Sequence, residues 1–209
     1  LLPQMVNNFS PTHGDSFLII DNNGTDLING IFQNAPEGAR IIGDGNRIFT
    51  ITYRGGDGND VVLRTVNNAR FDFDGDGKSD IANFRPSNGT WNILNSHNAT
   101  TTSQQFGLAT DKLTPADFDG DGKTDVAVYR PSDGIWYILN SNNSTVSYIQ
   151  FGLSEDIPMP NDFDGDGKDD VTVFRPATGV WYQIHSLDGQ IFAQQFGLNG
   201  DLPLRADFD

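Results

Sequence analysis

At 209 residues the chain is long enough for one or two domains with a real core, and its 13 basic against 28 acidic residues give a net charge of −15, which argues against nucleic acid or an anionic membrane as partner. Cysteine is absent, so neither disulfide staples nor thiol chemistry is available. No apolar run is long enough for a membrane-spanning helix, and Leu1-Leu2-Pro3-Gln4 lacks the charged and apolar regions of a signal peptide, so the chain reads as a processed protein or a fragment.

Residues 1–15 read as an irregular polar lead-in. Residues 16–66 read as a small β unit, with strands expected at 17–21, 27–33, 40–42, 47–53 and 61–66. Its turns are Asn22-Asn23-Gly24, Pro36-Glu37-Gly38 and Gly43-Asp44-Gly45-Asn46. Gly55-Gly56-Asp57-Gly58-Asn59-Asp60-Val61-Val62-Leu63 fits the calcium-binding nonapeptide GGxGxDxUx, but a single copy cannot stack into a β-roll, which favours a hairpin turn over a metal site.

From about residue 67 a repeat takes over. Asp72-Phe73-Asp74-Gly75-Asp76-Gly77-Lys78-Ser79-Asp80 returns at 117–125 and 162–170, always 45 residues on, and its first three residues return as Asp207-Phe208-Asp209. Each loop is followed by a strand ending in aromatic-Arg-Pro, with Arg85, Arg130 or Arg175. A turn with Gly89, Gly134 or Gly179 comes next, then a strand headed by Trp91, Trp136 or Trp181. A last strand closes on Phe106-Gly107, Phe151-Gly152 or Phe196-Gly197. A short lead-in such as Ile157-Pro158-Met159-Pro160 returns the chain to the next loop. Three clear strands and a shorter fourth in 45 residues make the size of one propeller blade. The fold class is therefore all-β, with propeller-type blades at about 67–111, 112–156 and 157–201, and a partial one at 202–209, after the small N-terminal unit.

Carboxylates at positions 1, 3, 5 and 9 of the loop, separated by glycines at 4 and 6, cannot all face inward from a strand or helix, but a tight loop around a cation permits it. One such loop is as readily an ordinary Asp-Gly turn; three in strict register favour a cation. So many hard oxygen donors suit Ca²⁺, about one per complete repeat. The candidate ligands are Asp72, Asp74, Asp76 and Asp80, then Asp117, Asp119, Asp121 and Asp125, then Asp162, Asp164, Asp166 and Asp170. Lys78, Lys123 and Lys168 would add backbone carbonyls and leave their side chains in solvent. An EF-hand is excluded, because Asn83, Val128 and Val173 stand where it needs a bidentate Glu, and an apolar β-branched run follows the loop instead of a helix. Three Ca²⁺ would bring the net charge from −15 to about −9.

The DxDGDGxxD loop, the Trp strand and the Phe-Gly pair make residues 67–209 resemble the FG-GAP and VCBS repeats of integrin-like β-propellers. That resemblance implies Ca²⁺ held between strands of each blade by the loop acids, and leaves function open among adhesion, glycan binding and ancillary domains of enzymes. The unit at 16–66 resembles strand-rich repeats beside passenger regions of bacterial secreted proteins, carried by the run at 53–63, which implies an extracellular bacterial setting. The chain departs in count, since three blades fall short of the four to eight that close a propeller.

The recurring aromatics are expected in the core rather than as sugar platforms, and the three arginines in structural pairs with loop acids. His13, His97 and His185 share no register. Nothing resembles a nucleophile elbow, a phosphate loop or a dinucleotide fingerprint. Sequons at Asn8, Asn23, Asn88, Asn98, Asn142 and Asn143 are acceptor sites if the host glycosylates such motifs. The expectation is a secreted, calcium-binding, non-catalytic protein with a structural or adhesive role, self-associating through its open-ended repeats or bound to another extracellular protein. The alternatives are a calcium-dependent glycan-binding module or an ancillary domain of a larger secreted enzyme.

Overall fold

The computed structural model describes residues 15–33, 35–42, 48–66 and 69–204. Fifteen strands in four antiparallel sheets make up the architecture among the described residues, with no α-helix.

The first sheet holds β1 (Ser16–Ile20), β2 (Arg40–Ile42), β3 (Ile48–Gly55) and β4 (Asp60–Val66) in the order β1-β4-β3-β2. Period-two alternation sends Phe49, Ile51, Tyr53, Val61 and Leu63 to one face, where they are buried with Ala35 and Ile41 in a core of their own. The Tyr53 hydroxyl is satisfied there, donating to the Ala35 carbonyl at 2.7 Å and accepting the Phe32 N–H at 2.7 Å. The strand expected at 27–33 does not form. Gly30 adopts φ +106° in its middle, Leu27 and Ile31 stay exposed, and only Phe32 keeps an isolated bridge, to Ala35. The nonapeptide run is a hairpin: the Gly58 N–H donates to the Gly55 carbonyl at 2.8 Å, Gly55 pairs with Asp60, and the Asn59 amide donates to the Gly24 carbonyl at 2.7 Å. The turn expected at 43–46 lies outside the described residues.

The repeats form the other three sheets. The first has β5 (Ile81–Arg85), β6 (Thr90–Leu94) and β7 (Thr101–Gln105). The second adds a two-residue lead-in strand, with β8 (Lys112–Leu113), β9 (Val126–Arg130), β10 (Ile135–Leu139) and β11 (Val146–Gln150) in the order β11-β10-β9-β8. The third repeats it as β12 (Ile157–Pro158), β13 (Val171–Arg175), β14 (Val180–Ile184) and β15 (Ile191–Gln195). The expected three strands and shorter fourth are present in the second and third repeats, whereas β5 pairs only with β6 among the described residues.

Neighbouring blades pack face to face. Val126 and Val128, on one side of β9, join Trp91 and Ile93 of the first blade. Ala127 and Tyr129, on the other side, join Val171 and Val173 of the third. Both faces of β9 are thus covered, which explains why it reads as a continuous apolar run rather than an alternating one.

The aromatic motifs fix each blade internally. Cross-strand pairs Phe84–Trp91, Tyr129–Trp136 and Phe174–Trp181 have ring centroids 5.5, 5.5 and 5.3 Å apart. The three indole N–H groups donate to the carbonyls of Phe106, Phe151 and Phe196 at 2.9, 2.9 and 3.0 Å, so each Trp strand is tied to its Phe-Gly pair. Trp91 and Trp136 are buried and Trp181 is half-buried, which agrees with a core role. The turn glycine is required by close approach: Gly134 adopts φ +68°, and a Cβ there would lie 2.7 Å from the Gly152 carbonyl oxygen.

Candidate metal centres

Each acidic loop is wound around its own first residue. The Asp117 carboxylate accepts the Gly120 N–H at 2.7 Å on one oxygen and the Gly122 N–H at 2.8 Å on the other. Asp72 does the same with Gly75 and Gly77, and Asp162 with Gly165 and Gly167. Positive φ at these glycines, +77° and +80° in the second loop, turns both N–H groups toward the carboxylate, which is why the aspartates alternate with glycine.

The ninth residue anchors the loop to its blade. Asp125 accepts the Phe118 N–H at 2.8 Å and the Ser141 N–H at 2.7 Å, the latter from the turn between β10 and β11. Asp80 and Asp170 hold Ser96 and Ser186 the same way, each at 2.7 Å. At position 3, Asp74, Asp119 and Asp164 accept the next N–H of that turn, from His97, Asn142 and Leu187 at 3.1, 3.2 and 3.1 Å. Loop and distal turn thus close on each other in every repeat, and β5, β9 or β13 follows the loop where an EF-hand would place a helix.

These contacts gather Asp72, Asp74 and Asp80, then Asp117, Asp119 and Asp125, then Asp162, Asp164 and Asp170, so that within each set one oxygen per residue lies within 4.8 Å of the others. The position-5 acids stand outside the triads. Asp76, Asp121 and Asp166 accept the N–H of the following lysine at 2.9, 2.8 and 2.8 Å, and Asp76 and Asp121 also take the hydroxyls of Ser96 and Ser141.

The electrostatics are those of acids crowded away from water. Burial, reinforced by the neighbouring loop carboxylates, pushes Asp117 up to about 8 and Asp125 up to about 7. Burial also raises Asp72, Asp119 and Asp170. Three converging carboxylates form an all-oxygen donor set suited to a hard divalent cation.

Successive loops are joined. The Thr124 N–H donates to the Asp72 carbonyl at 2.7 Å, and Asp169 and Asp117 exchange two bonds, at 2.6 and 2.8 Å. Lys123 and Lys168 differ from expectation: their side chains lie against Gly75 and Gly120 of the preceding loop, and only Lys78 points into solvent, beside Asp76 at 3.4 Å. An acidic loop supplies an attractive seat for a lysine stem one blade away, which the sequence of a single repeat does not display. Asp207, Asp209 and His13 lie outside the described residues. The His185 ring stacks on Phe192 at 3.9 Å, and His97 and His185 belong to no metal-ligand cluster among the described residues.

Arg130 and Arg175 make ion pairs, but their partners are not the loop acids, and Arg85 is exposed with no ion pair among the described residues. Arg130 forms a two-pronged pair with Asp111 at 2.9 Å and stacks over Tyr137, and Arg175 pairs with Asp156 at 2.8 and 2.9 Å over Tyr182. Both aspartates sit six residues before their loop, at the start of the lead-in, and are fully buried. Their 45-residue recurrence, continued in Asp201, was the available signal for them, as was that of Ser96, Ser141 and Ser186.

Residues 72–128 match the family described as FG-GAP-like repeat, and residues 110–149 match that described as FG-GAP repeat. Residues 72–149 carry FG-GAP repeats. No curated protein and no solved structure matches the chain. The third loop and its blade lie beyond the matched span, yet they repeat the main contacts of the matched repeats, from the Asp162 winding to the Trp181–Phe196 tie, lacking the serine hydroxyl bond that Ser96 and Ser141 make.

Proposed function

We propose that this chain is a secreted, calcium-binding repeat protein with a non-catalytic structural or adhesive role in an extracellular assembly. The observation that carries this reading is the recurrence of one acidic triad in the same hydrogen-bonded frame in three successive blades. A catalytic site has no reason to recur at every repeat, whereas a structural ion does. FG-GAP repeats are in general extracellular, non-enzymatic binding or structural units, which supports the setting. The chain is free of cysteine, so calcium takes the place that disulfides hold in other extracellular β proteins. Asp72, Asp74 and Asp80 and their equivalents would be the side-chain ligands, with Asp76, Asp121, Asp166 and the carbonyls of Lys78, Lys123 and Lys168 completing the shell.

Calcium titration by calorimetry should give about three ions per chain, one for each triad. With calcium tenfold above Kd, each site adds about 1.4 kcal/mol, so EDTA should lower Tm by about 10 °C over three sites. An unchanged Tm in EDTA rejects the calcium reading.

A further inference from the structure

One residue type in the acidic loops faces two ways. Lys123 and Lys168 hold position 7 of the second and third loops, where each main-chain N–H donates to its own loop's position-5 acid, Asp121 or Asp166, at 2.8 Å. Their side chains leave that loop. A Cβ built on Gly120 would lie 2.9 Å from the Lys168 Cγ and 3.0 Å from its Cε, and one built on Gly75 would lie 3.2 Å from the Lys123 Cγ and 2.7 Å from its Cε. Each stem thus rests on the position-4 glycine of the preceding loop, a seat that a side chain there would fill.

The backbone fixes this aim, because the residue after each lysine is bonded to the first residue of the preceding loop. The Thr124 N–H donates to the Asp72 carbonyl at 2.7 Å, and the Asp169 N–H to the Asp117 carbonyl at 2.6 Å, with the Asp169 carboxylate accepting the Asp117 N–H in return at 2.8 Å. Lys123 and Lys168 are half-buried as a result, whereas Lys78, which stays beside its own Asp76, has a side chain 73% exposed. Burial raises Asp119, a member of the second triad, and the Lys168 ammonium is among the influences that pull it back down. A positive charge in that place attracts carboxylates that otherwise repel one another, and it repels a divalent cation bound among them.

We infer that Lys123 and Lys168 are the resident counter-ions of the loop before their own, steadying its acids in the metal-free chain and weakening its hold on calcium. The lysine backbone belongs to one site and its charge to the previous one, so neighbouring sites are linked through a single residue. This rests on the calcium reading above and adds what tunes the affinity of the first two loops. The signature is an opposition of sign: loss of the charge lowers stability without calcium and tightens calcium binding. A stem that served only to pack would show neither effect in a substitution that keeps its length.

The test pairs Tm in EDTA with calcium calorimetry on the 209-residue protein. Lys168→Met keeps the stem and removes the charge; it should lower Tm in EDTA by about 3 °C and tighten calcium binding at one site by at least about threefold. Lys123→Met should do the same, and Lys168→Arg should stay near wild type. Lys78→Met, at an exposed lysine, should move Tm in EDTA by no more than about 1 °C. Asp119→Asn identifies the loop acted on: beside it, the EDTA loss from Lys168→Met should fall below about 1 °C, and calcium binding at the remaining sites should be indifferent to Lys168→Met. Circular dichroism checks that each variant is folded. An effect of Lys168→Met that persists undiminished beside Asp119→Asn places its action elsewhere and overturns the link. Calcium binding with an affinity that neither Met variant changes overturns the link and leaves the calcium reading standing. No calcium binding at all rejects that reading and with it the effect on affinity, and the EDTA cycle then decides the pairing alone.

Discussion

In the second repeat Val126, Ala127, Val128 and Tyr129 are all buried, while at the same positions of the first repeat Ile81, Ala82 and Asn83 are exposed and Phe84 is half-buried. The two hairpins are otherwise superimposable in register, with Trp91 opposite Phe84 and Trp136 opposite Tyr129, and with their indoles tied to equivalent carbonyls. The hairpin is a local product of its 45 residues, whereas the core is shared between repeats and exists only where two of them meet. Asn83 and Asn92 make the point chemically. They hydrogen-bond to each other at 3.1 Å on β5 and β6, where Val128 and Tyr137 of the second repeat pack against the first. Stability in such an array is a sum of repeat and interface contributions, so an interior blade should be worth more than a terminal one.

The largest expected contrast lies between the loops with the metal removed. Asp117 and Asp125 of the middle loop are held up to about 8 and about 7, mainly by burial. As pH rises above the unfolded carboxylate value the unfolded chain releases these protons first, and the folded chain keeps them until pH approaches the raised values. In EDTA, stability should therefore fall between about pH 4 and pH 8. Calcium displaces those protons and should flatten the slope. Asp117→Asn should flatten it in EDTA more than Asp72→Asn does: Asp72 is itself fully buried, but the middle loop is hydrogen-bonded to the loop on each side of it and Asp117 is pushed up to about 8. Equal slopes in the two variants, measured as Tm against pH, would break the distinction between enclosed and terminal loops.

The same contrast can be drawn in the apolar core. Trp136→Ala removes a fully buried ring from the interface of the second and third blades and should cost about 4 kcal/mol. Trp181→Ala removes a half-buried ring and should cost about 2 kcal/mol. Urea denaturation in saturating calcium reads the difference, and equal losses would mean that burial between blades is not what holds Trp136.

Much of this was legible in the sequence. The 45-residue period announced the blades, the Asp-Gly alternation announced acidic clusters at positions 1, 3, 5 and 9, of which 1, 3 and 9 converge, and the recurrence of Trp and Phe-Gly announced the core, although Phe196 of the third repeat is 80% exposed. What stayed hidden lies between repeats. A lysine stem lying over the preceding loop depends on how one blade sits on the next, and no window of one repeat contains that information; the arginine clamp lies within one sheet, one step beyond the Lys112↔Tyr129 pair, and was signalled only by the recurrence of Asp111 and Asp156. The strand expected at 27–33 failed for a local reason: its apolar pattern was satisfied, but Gly30 needed a positive φ that no strand accommodates.

The smallest effects test the arginine clamps within a single chain, and they bear on the comparison most directly. Asp111→Ala leaves Arg130, itself about a fifth exposed, without the buried carboxylate that holds it over Tyr137. Partial solvent access lets the guanidinium recover some hydration, so the loss should be about 2 kcal/mol, less than for a fully enclosed pair. Arg85→Ala at the equivalent place in the first blade deletes an exposed side chain with no ion pair among the described residues and should change stability by no more than about 0.5 kcal/mol. Urea denaturation in saturating calcium reads both losses. A loss at Arg85 as large as that at Asp111 would show that the first blade is clamped as the second is, and would break the contrast between the two repeats.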